Sequence, residues 1–206
     1  MKTFDKIFFG LLIGAVLPVS LFLTGWWSTF KIVLEYQIII FALAGFALGI
    51  ILDFLFLRKV ISNLYEINTS NLILVYVFYS LCCFGFFMGV PVFNVLLGIP
   101  AGYYAAMRCA YLRRDIIFTE HFFRQTAIFT SVIMFLVATA SATIALSDPF
   151  TPQNIKGMLG LNFDITKMVL LLIVVFGGAV LIVVQFFLTK YAAIITYRLF
   201  GNETGR

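Results

Sequence analysis

The sequence predicts an all-α integral membrane protein, a bundle of six transmembrane helices that forms a single polytopic domain over residues 1–206. Hydrophobic residues make up 63% of the chain and charged residues only 11%. A soluble domain carries about a quarter charged residues, so this chain has too few to cover a surface in water. Apolar runs long enough to cross a bilayer recur along the whole length. The ten-residue alternation typical of transmembrane strands is absent.

The first predicted span begins close to the N-terminus and resembles a secretory signal. Its apolar run of about 21 residues is too long for such a signal, and no small-residue cleavage site follows it, so we expect the span to be retained.

The charge-free range 71–107 would extend about 55 Å as one helix, against a hydrocarbon core near 30 Å. It must therefore fold back, and Gly89–Pro91 supplies the turn. The six predicted spans are Ile7–Trp27, Ile32–Leu57, Leu72–Met88, Val90–Met107, Ala127–Leu146 and Met168–Leu188.

The basic residues predict the orientation. With both termini in the cytoplasm, only Lys31, Lys156 and Lys167 lie outside, which satisfies the positive-inside rule for a cell (inner) membrane. The net charge of +5 is then explained by topology and by anionic headgroups at the cytoplasmic face, and no nucleic-acid partner is required. The predicted inside residues are Lys2, Lys6, Arg58, Lys59, Arg108, Arg113, Arg114, Arg124, Lys190, Arg198 and Arg206.

Two loops carry further predictions. In the outer loop, Thr151 followed by proline predicts a short surface helix over Pro152–Leu159, and Asp164 is placed to cap the last span. The inner loop mixes charged and large apolar residues, which predicts either an interfacial helix or cytoplasmic extensions of the fourth and fifth spans.

The fourth span holds the candidate binding site. Pro100 removes a backbone hydrogen bond and predicts a kink inside the span. A discontinuous helix of this kind binds substrate in many transporters, whereas the plainer alternative is a proline kink accommodated by close packing. The candidate substrate-binding residues are Asn94, Gly98, Pro100, Gly102, Tyr103 and Tyr104.

A second candidate is a charged cluster at the inner interface. It suggests acid–base chemistry on lipid, but the interpretation that the sequence favours is a set of solvated interfacial side chains. No nucleophile, phosphate-loop, dinucleotide or metal-ligand motif is present, so the sequence predicts no catalytic residue, no metal and no cofactor. The cluster consists of Asp53, Arg108, Glu120, His121 and Arg124.

Glycines four residues apart recur in the first four spans. Such pairs leave a bare helix face that lets two backbones approach closely. They predict either a tightly packed bundle or a homo- or hetero-oligomer that assembles through these faces. The pairs are Gly10/Gly14, Gly45/Gly49, Gly85/Gly89 and Gly98/Gly102.

Three functions follow. The first is a small-solute transporter or transporter subunit that uses the fourth span. A Phe-x-x-Leu-x-Gly pattern at Phe9–Gly14 and again at Phe93–Gly98, in oppositely directed spans, favours it, since transporters often contain inverted repeats. The second is a non-catalytic subunit or scaffold of a larger membrane complex. The third is a membrane-embedded lipid-modifying enzyme that uses the inner-interface cluster.

Overall fold

The computed structural model describes residues 3–160 and 162–200, and all regular secondary structure among them is helical, with no strand. Large apolar side chains cover the outside of these helices, as expected for contact with lipid, and Phe54 is 85% exposed. Lys2 and Arg206, which the sequence assigns to the cytoplasmic side, lie outside the described residues. Five helical segments are long and apolar enough to cross a membrane: Thr3–Thr29, Glu35–Ser62, Thr69–Phe86, Ile116–Ser147 and Lys167–Phe200. The chain is therefore a multi-pass, all-α membrane protein.

The chain divides into two compact units, Met1–Val75 and Tyr76–Arg206. The first contains α1 (Thr3–Gly14), α2 (Val16–Thr29) and α3 (Glu35–Ser62). The second begins within α4 (Thr69–Phe86), so the two units are not the two halves that an inverted repeat of three spans would give.

The first predicted span is interrupted at Ala15, between α1 and α2. Pro18 has no N–H to donate to the Gly14 carbonyl, which would be its partner in an unbroken helix. The backbone hydrogen bonds on either side of the break are present. Ala15 N donates to Leu11 O and Val19 N donates to Ala15 O, each at 3.1 Å. The break is therefore confined to one turn.

In this first unit, α2 and α3 pack antiparallel with their backbones in contact at three glycines. A Cβ added at Gly25, Gly45 or Gly49 would clash with backbone atoms of Phe41, Leu21 or Pro18, respectively. At Gly14 and Gly10 the nearest atoms belong instead to the side chains of Leu57 and Ile61. The backbones of α1 and α3 are thus farther apart than those of α2 and α3.

In the second unit, the predicted fourth span is built differently from the expectation. The turn after α4 contains Gly89, whose φ of +80° suits a residue without a side chain. A 3₁₀ helix then covers Pro91–Leu97, and α5 covers Gly98–Tyr111. Pro100 is the third residue of α5, where backbone N–H groups have no intrahelical acceptor and a proline costs little. The fold does not confirm the predicted sixth span or the predicted kink at Pro100.

α5 forms the interior of the second unit. Half of its fourteen residues are buried, and most of these are small. Their packing brings α5 against α6 (Ile116–Ser147) and α8 (Lys167–Phe200). The central cluster comprises Ala105, Ala106, Cys109, Phe123 and Ala193.

The connecting loops depart from the predictions in detail. The inner loop forms helical extensions, because α5 ends at Tyr111 and α6 begins at Ile116, with Asp115 Oδ1 accepting a hydrogen bond from Phe118 N at 3.3 Å. In the outer loop, α7 covers Thr151–Leu159, as expected. Asp164 does not cap α8. Its carboxylate binds Lys156 Nζ at 2.6 Å, and the hydroxyl of Thr166 accepts from Val169 N instead.

Candidate functional site

An uncharged group of polar side chains lies in the interior of the second unit, and we call it the polar cluster. Membrane interiors tolerate such groups only when they are hydrogen-bonded, so their partners decide what the group can do. Its members come from α4, the 3₁₀ helix, α6 and α8. They are Tyr76, Asn94, Thr130, Gln185 and Thr189.

Four of these side chains form a chain of hydrogen bonds. Thr130 Oγ1 donates to Ala127 O at 3.0 Å, and Thr189 Oγ1 lies 2.9 Å from Thr130 Oγ1. Because the Thr130 proton is directed to Ala127, the Thr189 hydroxyl supplies the proton between the two threonines. Gln185 Nε2 donates to Tyr76 Oη at 3.0 Å and approaches Thr189 Oγ1 at 3.5 Å. α4, α6 and α8 are thereby joined through polar contacts.

Asn94 attaches the 3₁₀ helix to α4. Its Nδ2 donates to the backbone carbonyl of Ser80 at 2.8 Å, and both residues are buried. Ser80 lies one helical turn after Tyr76 on α4, so the Asn94 contact and the Gln185 contact fall on the same face of that helix.

Two amide oxygens of the cluster have no hydrogen-bond partner among the described residues. They are Asn94 Oδ1 and Gln185 Oε1. Asn94 is 3% exposed and Gln185 is fully buried, so bulk water does not reach either oxygen. A buried acceptor left unsatisfied costs about 1–3 kcal/mol. The cluster can therefore accept hydrogen bonds from an N–H or O–H donor.

Gly98 packs directly against the polar side chains of the cluster. A Cβ added there would lie 2.7 Å from Thr189 Oγ1 and 2.9 Å from Gln185 Nε2. The absence of a side chain at this position allows the first turn of α5 to approach the polar groups of α8.

The depth of the cluster follows from the helix rise of 1.5 Å per residue. Thr130 lies about 27 Å along α6 from Asp148, and Gln185 lies about 27 Å along α8 from Lys167. In the other direction, Arg124 and Lys190 are only about 9 Å and 7.5 Å away. The cluster thus lies in the apolar region but nearer to the ends that carry Arg124 and Lys190.

The candidate residues of the fourth span have different surroundings. Asn94 and Gly98 belong to the cluster or line it, as described above. Gly102 packs against backbone atoms of α8, because a Cβ there would meet Thr189 O and Ala193 N. Tyr104 interacts with the guanidinium of Arg108. Pro100 and Tyr103 are half-buried.

The charged residues of the inner interface are distributed over α3, α5 and α6. Glu120, His121 and Arg124 are exposed on the first turns of α6. Arg108 stacks over the Phe122 ring, with 5.9 Å from Cζ to the ring centroid. Asp53 belongs to the first unit, on α3.

Sequence reasoning missed Tyr76, Thr130, Gln185 and Thr189. The proline and glycines of the fourth span indicated Asn94, but no such feature lies beside Gln185, Thr130 or Thr189. Gln185 interrupts an otherwise apolar run, and Thr189 follows it by one helical turn. That pairing of an amide and a hydroxyl on one helix face was the available signal.

The chain matches no protein-family model, no curated protein and no solved structure.

Proposed function

We propose that this protein is a small-solute transporter or a subunit of one, and that the polar cluster binds the solute. The observation that carries the proposal is the pair of buried amide oxygens without partners, Asn94 Oδ1 and Gln185 Oε1. A purely structural cluster gains nothing from leaving two acceptors unsatisfied. A solute that donates hydrogen bonds to both would remove that cost.

The chemistry of the cluster favours a neutral solute. Its members are amides and hydroxyls, and none carries a formal charge. Amide oxygens accept from N–H and O–H groups, so polyols, amides and similar uncharged molecules fit this lining. Ionic solutes would require a countercharge in a region of low dielectric constant.

Further support comes from the helix breaks. Both Phe-x-x-Leu-x-Gly segments end where a helix changes: α1 stops at Gly14, and the 3₁₀ helix gives way to α5 at Gly98. Interrupted helices at the binding site are common in transporters, and the change at Gly98 lies beside the polar cluster.

We also propose that Pro91–Tyr111 crosses the membrane and supplies the sixth span. Seven residues of 3₁₀ helix and fourteen of α-helix extend about 35 Å together, which exceeds a hydrocarbon core of about 30 Å. With cytoplasmic termini, the polar cluster then lies nearer the cytoplasmic surface of the cell membrane.

A role as a non-catalytic subunit of a larger membrane complex is the second candidate. Gly85 and Gly177 have no atom within 4 Å of an added Cβ, so each leaves a bare patch on its helix. Bare patches of this kind permit close contact with a helix from another chain.

Transport assays on the purified chain in liposomes test the proposal. We expect flux of at least one neutral probe among urea, glycerol and glucose, measured by stopped-flow light scattering, above that of protein-free liposomes. The variants Asn94→Ala and Gln185→Met should lower the rate at least ten-fold, because each removes one acceptor.

Matched substitutions at exposed amides control for general damage. Asn71→Ala and Gln125→Leu change the same residue types outside the cluster and should leave flux unchanged. Wild-type flux in the Gln185→Met variant would contradict the proposed site. Absence of flux for all three probes, together with stoichiometric co-purification of other chains, would favour the subunit role.

A further inference from the structure

A groove in the first unit lies where α1 and α3 separate. Its volume is about 760 Å³, within the range of small-molecule sites, and it is open on one side. It forms because the backbone contacts at Gly25, Gly45 and Gly49 end at the break near Ala15. Beyond that break, the atoms nearest to Gly14 and Gly10 of α1 belong to the side chains of Leu57 and Ile61.

The lining of the groove is amphiphilic in a defined order. Lys6 and Arg58 lie at its polar end, and both are exposed. Phe54 and Ile50 form the apolar end, about 12 Å along α3 from Arg58 to Ile50. A cationic end followed by an apolar channel matches an anionic headgroup followed by a hydrocarbon chain.

Asp53 places a carboxylate within the apolar part of the groove, between Phe54 and Ile50 on α3. It lies about 7.5 Å along α3 from Arg58 and lines the same groove. It forms no ion pair or hydrogen bond with another side chain within 3–160 and 162–200. A carboxylate among apolar side chains needs a hydrogen-bond donor. The ester groups of a lipid only accept hydrogen bonds, so a lipid that satisfies Asp53 must carry a free hydroxyl.

We propose that this groove binds a single-chain phospholipid, a lysophospholipid, from the surrounding leaflet. The phosphate lies between Lys6 and Arg58, which bind it through charge-assisted hydrogen bonds. The free hydroxyl on the glycerol donates to the Asp53 carboxylate, and the acyl chain lies along Phe54 and Ile50. This site is in a different unit from the polar cluster and does not depend on the transport proposal.

Lys6 and Arg58 would also reach the headgroup region without any site, as long basic side chains near helix ends commonly do. Lys59 provides the matched control, since it is exposed on the next position of α3 but does not line the groove. A specific site requires Lys6 and Arg58, whereas general attraction to anionic lipid treats the three residues alike.

Titration of the full chain in detergent micelles with palmitoyl lysophosphatidic acid, followed by native mass spectrometry, tests the site. We expect Lys6→Gln combined with Arg58→Gln to weaken binding at least ten-fold, and Lys59→Gln to change it less than two-fold. Size-exclusion chromatography and circular dichroism verify folding, and the two single variants replace the double variant if it misfolds. Equal binding by wild type and the Lys6 and Arg58 variants would overturn the proposal.

The hydroxyl contact is tested with the analogue that lacks the glycerol hydroxyl and with dipalmitoyl phosphatidic acid. Wild type should bind lysophosphatidic acid at least five-fold more tightly than either compound. Asp53→Leu should abolish that preference while binding of the hydroxyl-free analogue stays within two-fold. A wild-type protein that binds all three equally would refute the single-chain assignment.

Discussion

The side-chain nitrogen of Gln185 lies 3.0 Å from the hydroxyl oxygen of Tyr76, although 109 positions separate the two residues in the chain. This contact links α8 to α4 through polar atoms within the apolar part of both helices. Its neighbours, the hydroxyls of Thr130 and Thr189, link α8 to α6 in the same way. The energetic value of such links inside a membrane is modest and measurable.

The Thr130–Thr189 contact should give a coupling energy near 0.6 kcal/mol, the average for interhelical hydrogen bonds in a membrane protein. Thr130→Val, Thr189→Val and the double variant form a double-mutant cycle. Unfolding by SDS in mixed micelles, followed by far-ultraviolet circular dichroism, gives the free energies of unfolding of the wild type and the three variants. Thr139→Val serves as the control, because the Thr139 hydroxyl bonds only to the Phe135 carbonyl of its own helix. Strictly additive effects would show that the contact contributes nothing.

Glycine substitutions should separate positions in backbone contact from positions facing open space. Gly45→Ala places a methyl group against the Leu21 carbonyl and should destabilise the protein by about 1–3 kcal/mol. Gly177→Ala meets no atom within 4 Å and should stabilise it by up to about 1 kcal/mol, through helix propensity. The same unfolding assay compares them. Equal effects at both positions would contradict the close approach of α2 and α3.

Length and hydropathy were sufficient to predict the apolar helices, while glycine and proline positions predicted the turn at Gly89 and the short helix before Gly160. They could not predict which faces meet. Most of these helices are apolar all round, so hydrophobic periodicity does not distinguish a lipid-facing side from a packed one. Asn94 was found because it lies beside a proline and glycines, whereas Gln185 and Thr130 become partners only through tertiary packing. The helix break at Ala15 was missed because Pro18 is compatible with either a continuous kinked helix or the start of a new one.

Cysteine labelling should decide whether Pro91–Tyr111 crosses the bilayer. In a chain whose three native cysteines are replaced by serine, Met88→Cys should react with a membrane-impermeant maleimide in intact cells, since Met88 is 93% exposed in the turn after α4. Arg113→Cys, beyond the end of α5, should react only after permeabilisation. Lys156→Cys in α7 provides the outside reference. Labelling of Met88→Cys and Arg113→Cys from the same side would remove the sixth span and reverse part of the topology.

The ion pair of the outer loop should respond to pH in one direction only. Lys156, through its hydrogen bond and its charge, holds the pKa of the Asp164 carboxyl below the ordinary value of 3.8. A depressed folded-state pKa means that the pair stabilises the loop above the unfolded pKa and is lost as the pH falls through the folded one. The loop should therefore be unchanged between pH 7 and pH 5 and should loosen only in stronger acid.

Carboxyl NMR titration in micelles should place the pKa of Asp164 below 3.8 and return it towards that value in the Lys156→Met variant. About 1 M salt should have a similar effect, because Asp164 is 92% exposed and such charges are strongly screened. An Asp164 pKa that is the same in wild type and in Lys156→Met would show that the pair does not persist in solution.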